Sequence, residues 1–259
     1  MPARRASAED APDAGKVRPV VRARLPITVV VIVVLAVIAV AGAHTLTASS
    51  LSVNETPVAA GAPTALSLRT TFNRSTGGEL SAVEVDLARG FGFDPRAAGV
   101  CSNAQAHAGS CPRASTIGRG TGTIVVQGRY LPRTPYAVGA TFYLARPRHP
   151  GDIAGLVLDL YETESQLHAT VLGRVVPIAH GAYGIALRFA GADTQLPSGY
   201  TLSLLALTTV LQAHRTVSAG GYDLLTNPGS CTRHGWPVQL QIESGGRAQV
   251  YHSDATCSR

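Results

Sequence analysis

The chain has 259 residues, 45% of them apolar and only 15% charged, with 27 glycines and 16 prolines. That supplies apolar sequence for one large or two small packed domains, joined by many turns. The formal charge of +6 divides evenly, with six Lys/Arg against three Asp/Glu before residue 44 and sixteen Arg against thirteen acids after it. No Arg/Lys cluster occurs after residue 44, so nucleic acid is not an expected partner.

Residues 1–26, rich in Ala, Pro, Arg and acids, read as a disordered cytoplasmic tail. Residues 27–43 follow as ITVVVIVVLAVIAVAGA, seventeen residues without a charge. As a helix rising about 1.5 Å per residue this run reaches roughly 25 Å, just short of a bilayer core of roughly 30 Å. It reads as a single transmembrane signal-anchor helix. Arg4, Arg5, Lys16, Arg18, Arg22 and Arg24 precede it, and no basic residue follows from His44 to Leu68. The positive-inside rule puts the N-terminus in the cytoplasm and residues 44–259 outside the plasma membrane. Alternatively, Ala41-Gly42-Ala43 serves as a signal-peptide cleavage site and the rest is secreted. Four cysteines fit either address, since an even count in an oxidising compartment reads as two disulfides.

Beyond the apolar run the pattern changes to period two. Val83/Val85/Leu87 alternate with Glu84 and Asp86, and similar alternation marks Leu156/Leu158/Leu160 and Val238/Leu240/Ile242. This predicts strands buried on one face. Eleven are expected, over 44–53, 64–72, 80–87, 121–127, 137–145, 155–161, 166–176, 183–189, 199–210, 236–243 and 246–252. Gly- and Pro-rich turns separate them. The fold class is therefore all-β, an antiparallel Ig-like β-sandwich, either one extended sandwich or two with a seam near residues 128–135.

One helix interrupts the strands. Between Cys101 and Cys111, Ser102 suits an N-cap and Gly109 a C-terminal stop around about one and a half turns. A Cys101–Cys111 disulfide would hold so short a helix, and Cys231–Cys257 would clamp the last hairpin, although four cysteines permit three connectivities.

Cys101-Ser102, Ala104-Gln105, Gly109-Ser110-Cys111-Pro112, Ser115 and Ile117-Gly118, with Leu224 to Cys231 (LLTNPGSC) later, resemble segments of a family of exported actinobacterial β-rich proteins. The resemblance runs from about residue 80 to 257. It implies export, β structure and disulfides, and no assigned activity.

Catalytic patterns are sparse. No G-x-S-x-G nucleophile elbow occurs. The densest acids are Asp159, Glu162 and Glu164, the catalytic candidates for a glycosidase-type carboxylate pair, although alternation reads them as a solvated strand end. Gly118-Arg119-Gly120-Thr121-Gly122 precedes a strand rather than a helix, so it reads as turn glycine and not as a phosphate cradle. The Cys and His spacings do not match zinc sites, and neither a metal nor a cofactor is expected. Tyr222 and Trp236, at predicted loop or strand ends, are the candidate binding aromatics.

The sequence points first to a non-catalytic, membrane-anchored envelope protein whose β domain binds a cell-wall polymer or an envelope protein. A hydrolase of wall or extracellular polymer is the first alternative. A structural spacer in an envelope complex is the second.

Overall fold

Strands form where apolar residues alternate with polar ones, because a pleated backbone sends successive side chains to opposite faces. The computed structural model describes residues 45–76, 80–127, 135–163, 166–179, 181–195, 201–217, 220–244 and 246–258. The expected cytoplasmic tail, the expected membrane helix over 27–43 and Glu164 lie outside the described residues. Among the described residues no helix is long and apolar enough to cross a membrane.

All eleven predicted strands are present. They are β1 (Thr45–Thr56), β2 (Pro63–Thr76), β3 (Leu80–Ala88), β5 (Thr116–Gln127), β6 (Pro135–Ala145) and β7 (Ala154–Glu162). They continue with β8 (Leu167–Pro177), β9 (Tyr183–Gln195), β10 (Thr201–Leu211), β14 (Trp236–Ser244) and β15 (Arg247–Ala255). Four short strands add to these: β4 (Gly92–Phe93), β11 (His214–Val217), β12 (Gly220–Asp223) and β13 (Leu225–Thr226). The helix α1 (Asn103–His107) carries the expected Ser102 N-cap in a full capping box, with Gln105 reaching back to the Ser102 N–H. Gly109 sits at φ +60°, the left-handed conformation that ends a helix cheaply only at glycine.

The long strands make one antiparallel hydrogen-bonded path, β15-β14-β3-β9-β8-β7-β6-β5-β10-β2-β1. The path curls until its edge strands approach each other, for β1 lies against β15. Beyond both strands Ala59 and Ser258 form a parallel bridge, with Ser258 N–H donating to the Val58 carbonyl at 2.9 Å. Residues 42–259 form one compact unit. β5 and β6 pair with each other from Thr116↔Tyr143 to Val125↔Pro135, so the expected seam falls in the connection of a hairpin, itself outside the described residues.

The two ends of this sheet are built differently. At one end lie the joined ends of the hairpins β5–β6, β7–β8 and β14–β15, the ends of β2 and β9 and the starts of β1, β3 and β10; we term it the hairpin end. At the other, the far end, β4 and β13 extend the edge of β2, and Trp236, Leu87, Leu66, Leu224 and Leu225 are buried in the main core. A smaller core lies on the outer face, where Cys101 and Ala106 cover Ala145, Val157 and Leu172.

Both cysteine pairs are disulfides, Cys101–Cys111 with Cα atoms 5.2 Å apart and Cys231–Cys257 with 5.7 Å. By loop entropy each is worth about 3 kcal/mol. The glycines at 118, 120 and 122 are a correction: they lie within β5, not in a turn. A Cβ on Gly118 would stand 2.6 Å from the Leu211 side chain and 2.7 Å from the Val210 carbonyl. Their role is close approach of β10 to β5.

Candidate functional site

Inward burial falls away toward the hairpin end. Along β2 Leu66 is buried and Leu68 half-buried; along β3 Leu87 and Val85 are buried and Val83 half-buried; along β9 Leu187 is buried and Phe189 half-buried. The space left between them is a cavity of about 110 Å³. Seven strands line it, including Leu68 of β2, Val85 of β3, Phe142 of β6, Leu160 of β7, Val171 of β8 and Leu204 of β10. Thr209 is its single polar side chain among the described residues, and that hydroxyl donates to the Arg119 carbonyl at 3.3 Å. No charge lines the chamber among the described residues. An apolar cavity of about 150 Å³ takes up benzene, so this one has room for a short alkyl segment.

The wall beside the chamber is interrupted. On β8 and β9, Val171 pairs with Thr194 and Gly173 with Phe189, so Leu172 alone stands against residues 190–193. At this break Gly173 has no side chain, and a Cβ there would meet the Phe189 ring at 2.5 Å. The ring therefore lies over Gly173, edge-on to Phe142 with centroids 6.1 Å apart.

On the outer side of the same wall is a groove of about 270 Å³. Its basic side chains are Arg148, His149, Arg174 and Arg188, and Glu84 joins them. Ala82, Val83, Phe189 and Ala190 line the groove and the chamber alike. Cross-strand register places the charges: Glu84 of β3 is opposite Arg188 of β9, which is opposite Arg174 of β8. Arg188 Nη2 donates to Glu84 Oε1 at 2.8 Å, and Nε lies 2.8 Å from Oε2. Arg174 Nη1 stands 3.5 Å from Asp152 Oδ1. The Arg174 and Arg188 side chains remain 38% and 36% exposed.

Beside the groove Asp86 is only 1% exposed, although it shares the polar face of β3 with Glu84. Its Oδ2 accepts from Gln239 Nε2 at 3.0 Å, while Oδ1 has no hydrogen-bond partner among the described residues. Burial, then the Glu84 carboxylate, pushes its pKa up to about 7 against the opposing pull of Arg188. A second buried acid, Glu55 of β1, is 2% exposed and neither carboxylate oxygen has a partner among the described residues. Burial raises its pKa to about 7 as well.

The residues singled out in the sequence are dispersed. Asp159 faces outward, 3.5 Å from His168 Nδ1, whereas Glu162 lies three positions on in β7 and is buried. An odd separation in a strand puts two side chains on opposite faces, so these carboxylates do not converge. Glu164 lies outside the described residues. Trp236 is a correction: it is 1% exposed, its Nε1 donates to the Ser230 carbonyl at 2.9 Å, and its ring meets Phe91 edge-on at 5.8 Å. The indole is core at the far end and offers no binding face. Tyr222 is half-buried, with the Arg96 guanidinium 4.2 Å over its ring. Among the described residues no three His, Cys, Asp or Glu side chains converge as a metal site would require.

Sequence reasoning missed the chamber and the groove. The one visible signal was the run of small residues Ala190-Gly191-Ala192, where alternation in β9 stops. No family model matches the chain, and no curated protein or solved structure matches it either.

Proposed function

We propose that this chain is a non-catalytic, membrane-anchored protein of the cell envelope whose β domain binds an apolar envelope component inside its curled sheet. The observation that carries this reading is the uncharged chamber at the hairpin end, lined from seven strands. Concave, mostly apolar pockets are where small ligands bury most of their surface. A packed interior ordinarily leaves no void much larger than a water molecule. Here the void sits in a sheet whose opposite end is filled by Trp236, Leu66 and Leu225, all 1% exposed or less.

Residues 27–43 serve in this reading as the signal-anchor, with the N-terminus cytoplasmic and residues 44–259 beyond the membrane. The resemblance to exported actinobacterial proteins and the two disulfides support that address. We take the curled sheet to be flattened, sandwich-like, with β10 and β2 facing β3 and β9 across the core. β1 starts at the hairpin end, and only His44 separates it in sequence from the apolar run.

The test is photolabelling of the full chain in lipid nanodiscs with an uncharged alkyl diazirine, followed by peptide mapping. Adducts on the segments holding Leu160, Val171 and Leu204 are the expected result. Leu207→Trp, which fills the chamber, should reduce them several-fold. Adducts confined to residues 27–43 would remove the chamber as a ligand site.

A further inference from the structure

We infer that Phe189 is the gate of the chamber, and that the ligand enters sideways through the wall between β8 and β9 rather than along the strands from the hairpin end. This rests on the chamber being the ligand site proposed above, and it adds the route and the side chain that controls it.

The wall is weakest at this point. In a continuous antiparallel ladder the strands stand about 4.8 Å apart, and their hydrogen bonds and side chains leave no passage. From Val171 to Gly173, β8 advances about 7 Å, while β9 has roughly 17 Å of extended chain between the paired residues Phe189 and Thr194. The surplus of about 10 Å has to bow away from β8. Ala190 pairs with Ala82 of β3, and among the described residues Gly191, Ala192 and Asp193 pair with neither neighbouring strand. Over this stretch the ladder is missing.

What covers the gap is one ring. Gly173 and Phe189 are cross-strand partners, and a Cβ on Gly173 would stand 2.5 Å from the Phe189 ring, so the ring lies across bare backbone. The spaces inside and outside meet there. The groove has four apolar side chains, Ala82, Val83, Phe189 and Ala190, and all four also border the chamber. Ala82 and Val83 stand opposite Ala190 and Phe189 in an intact ladder, which fixes that side of the frame. Of the four, Phe189 has the one long side chain that can swing. It is half-buried, and its ring contact is the edge-on approach to Phe142 at 6.1 Å. Turning such a ring between staggered rotamers is a local event that requires no strand to part. The groove, at about 270 Å³ against about 110 Å³ for the chamber, has room for an alkyl segment outside the ring before the ring turns.

The experiment is a time course of photolabelling on the full chain in nanodiscs, with the uncharged alkyl diazirine flashed at intervals after rapid mixing. Adducts on the segments holding Leu160, Val171 and Leu204 give the rate of entry and, at long times, the extent of binding. Phe189→Ala removes the ring and should speed entry about tenfold, equivalent to about 1.4 kcal/mol of barrier. Leu68→Ala widens the chamber on β2 at a residue that does not line the groove, and should leave the rate unchanged. Phe189→Leu keeps most of the apolar volume without the flat ring and should also speed entry. Far-ultraviolet circular dichroism accompanies each variant, and Phe189→Leu decides if Phe189→Ala does not fold. An unchanged rate in the Phe189 variants, or an equal gain in Leu68→Ala, would overturn Phe189 as the gate while leaving the chamber a ligand site entered elsewhere. No chamber adduct in the parent or in any variant would overturn this inference together with the reading beneath it.

Discussion

At the far end of the sheet β14 opens with Trp236, whose ring packs edge-on against Phe91 while its N–H reaches the Ser230 carbonyl. The loops there are tied down: Asn227 Nδ2 donates to the Pro57 and Ala59 carbonyls at 2.8 and 3.0 Å, and Cys231–Cys257 fixes the chain end. At the hairpin end the strands carry Val83, Leu68, Val171 and Phe189 inward, all half-buried around the chamber. One sheet thus supplies both a closed base and an unfilled interior. The contrast teaches that packing is graded along the strands, with fully buried side chains and cross-links at one end and half-buried side chains around a cavity at the other.

Substitutions can break that gradient. The largest expected effect is at the base: Trp236→Ala removes the biggest fully buried side chain and should cost about 3–5 kcal/mol of unfolding free energy, read from chemical denaturation. Leu207→Ala, in the chamber wall, should cost distinctly less, because its site is only half-buried. Equal costs would mean that the two ends are equally packed.

Next is Glu55. Its carboxyl is held protonated by burial with a pKa of about 7, raised from 4.5. A raised carboxyl pKa favours the neutral form in the fold, so stability is highest below pH 4.5, declines as pH rises, and levels off above pH 7. Glu55→Gln removes that loss. The variant should match the parent at pH 4 and exceed it at pH 8 by up to about 3 kcal/mol. A stability difference independent of pH would show that Glu55 is not buried unpaired.

Cleavage of Cys101–Cys111, by Cys101→Ala with Cys111→Ala, should cost about 2–3 kcal/mol and free α1 from the outer core. Native-state hydrogen exchange at Ala106 and Ala108 is the local readout. The smallest effect separates the two ends most finely. Val171→Ile adds one methylene where there is space and should be neutral or slightly stabilising, whereas Val238→Ile at the filled end should cost about 1–3 kcal/mol.

Much of this architecture is legible in the chain. Alternation such as Val83/Val85/Leu87 marks many of the long strands, because a half-buried strand writes its own period. Ser102 and Gly109 mark α1 through capping chemistry. The short strands β4, β11, β12 and β13 are not legible, since two to four residues carry no period. Predicted β9 stops at residue 189, where its alternation stops, while the backbone continues through the break to Gln195. Burial across the sheet is also hidden. Glu84 and Asp86 do share the polar face of β3, yet Asp86 alone is out of solvent, with Gln239 and Ala186 brought opposite it by strand order. The chamber is least legible of all, for it is defined by which strands face each other once the sheet has curled. Trp236 misled for the same reason: a strand end in sequence became the plug of the far end.

The central claim is that the hairpin-end chamber holds an apolar ligand. Native mass spectrometry of the full chain, released from the membrane of the cells that make it, tests this most directly. A discrete adduct with the mass of a small apolar compound, lost in Leu207→Trp while that variant stays folded, is the result expected. A bare chain, or an adduct that Leu207→Trp leaves unchanged, would contradict the account.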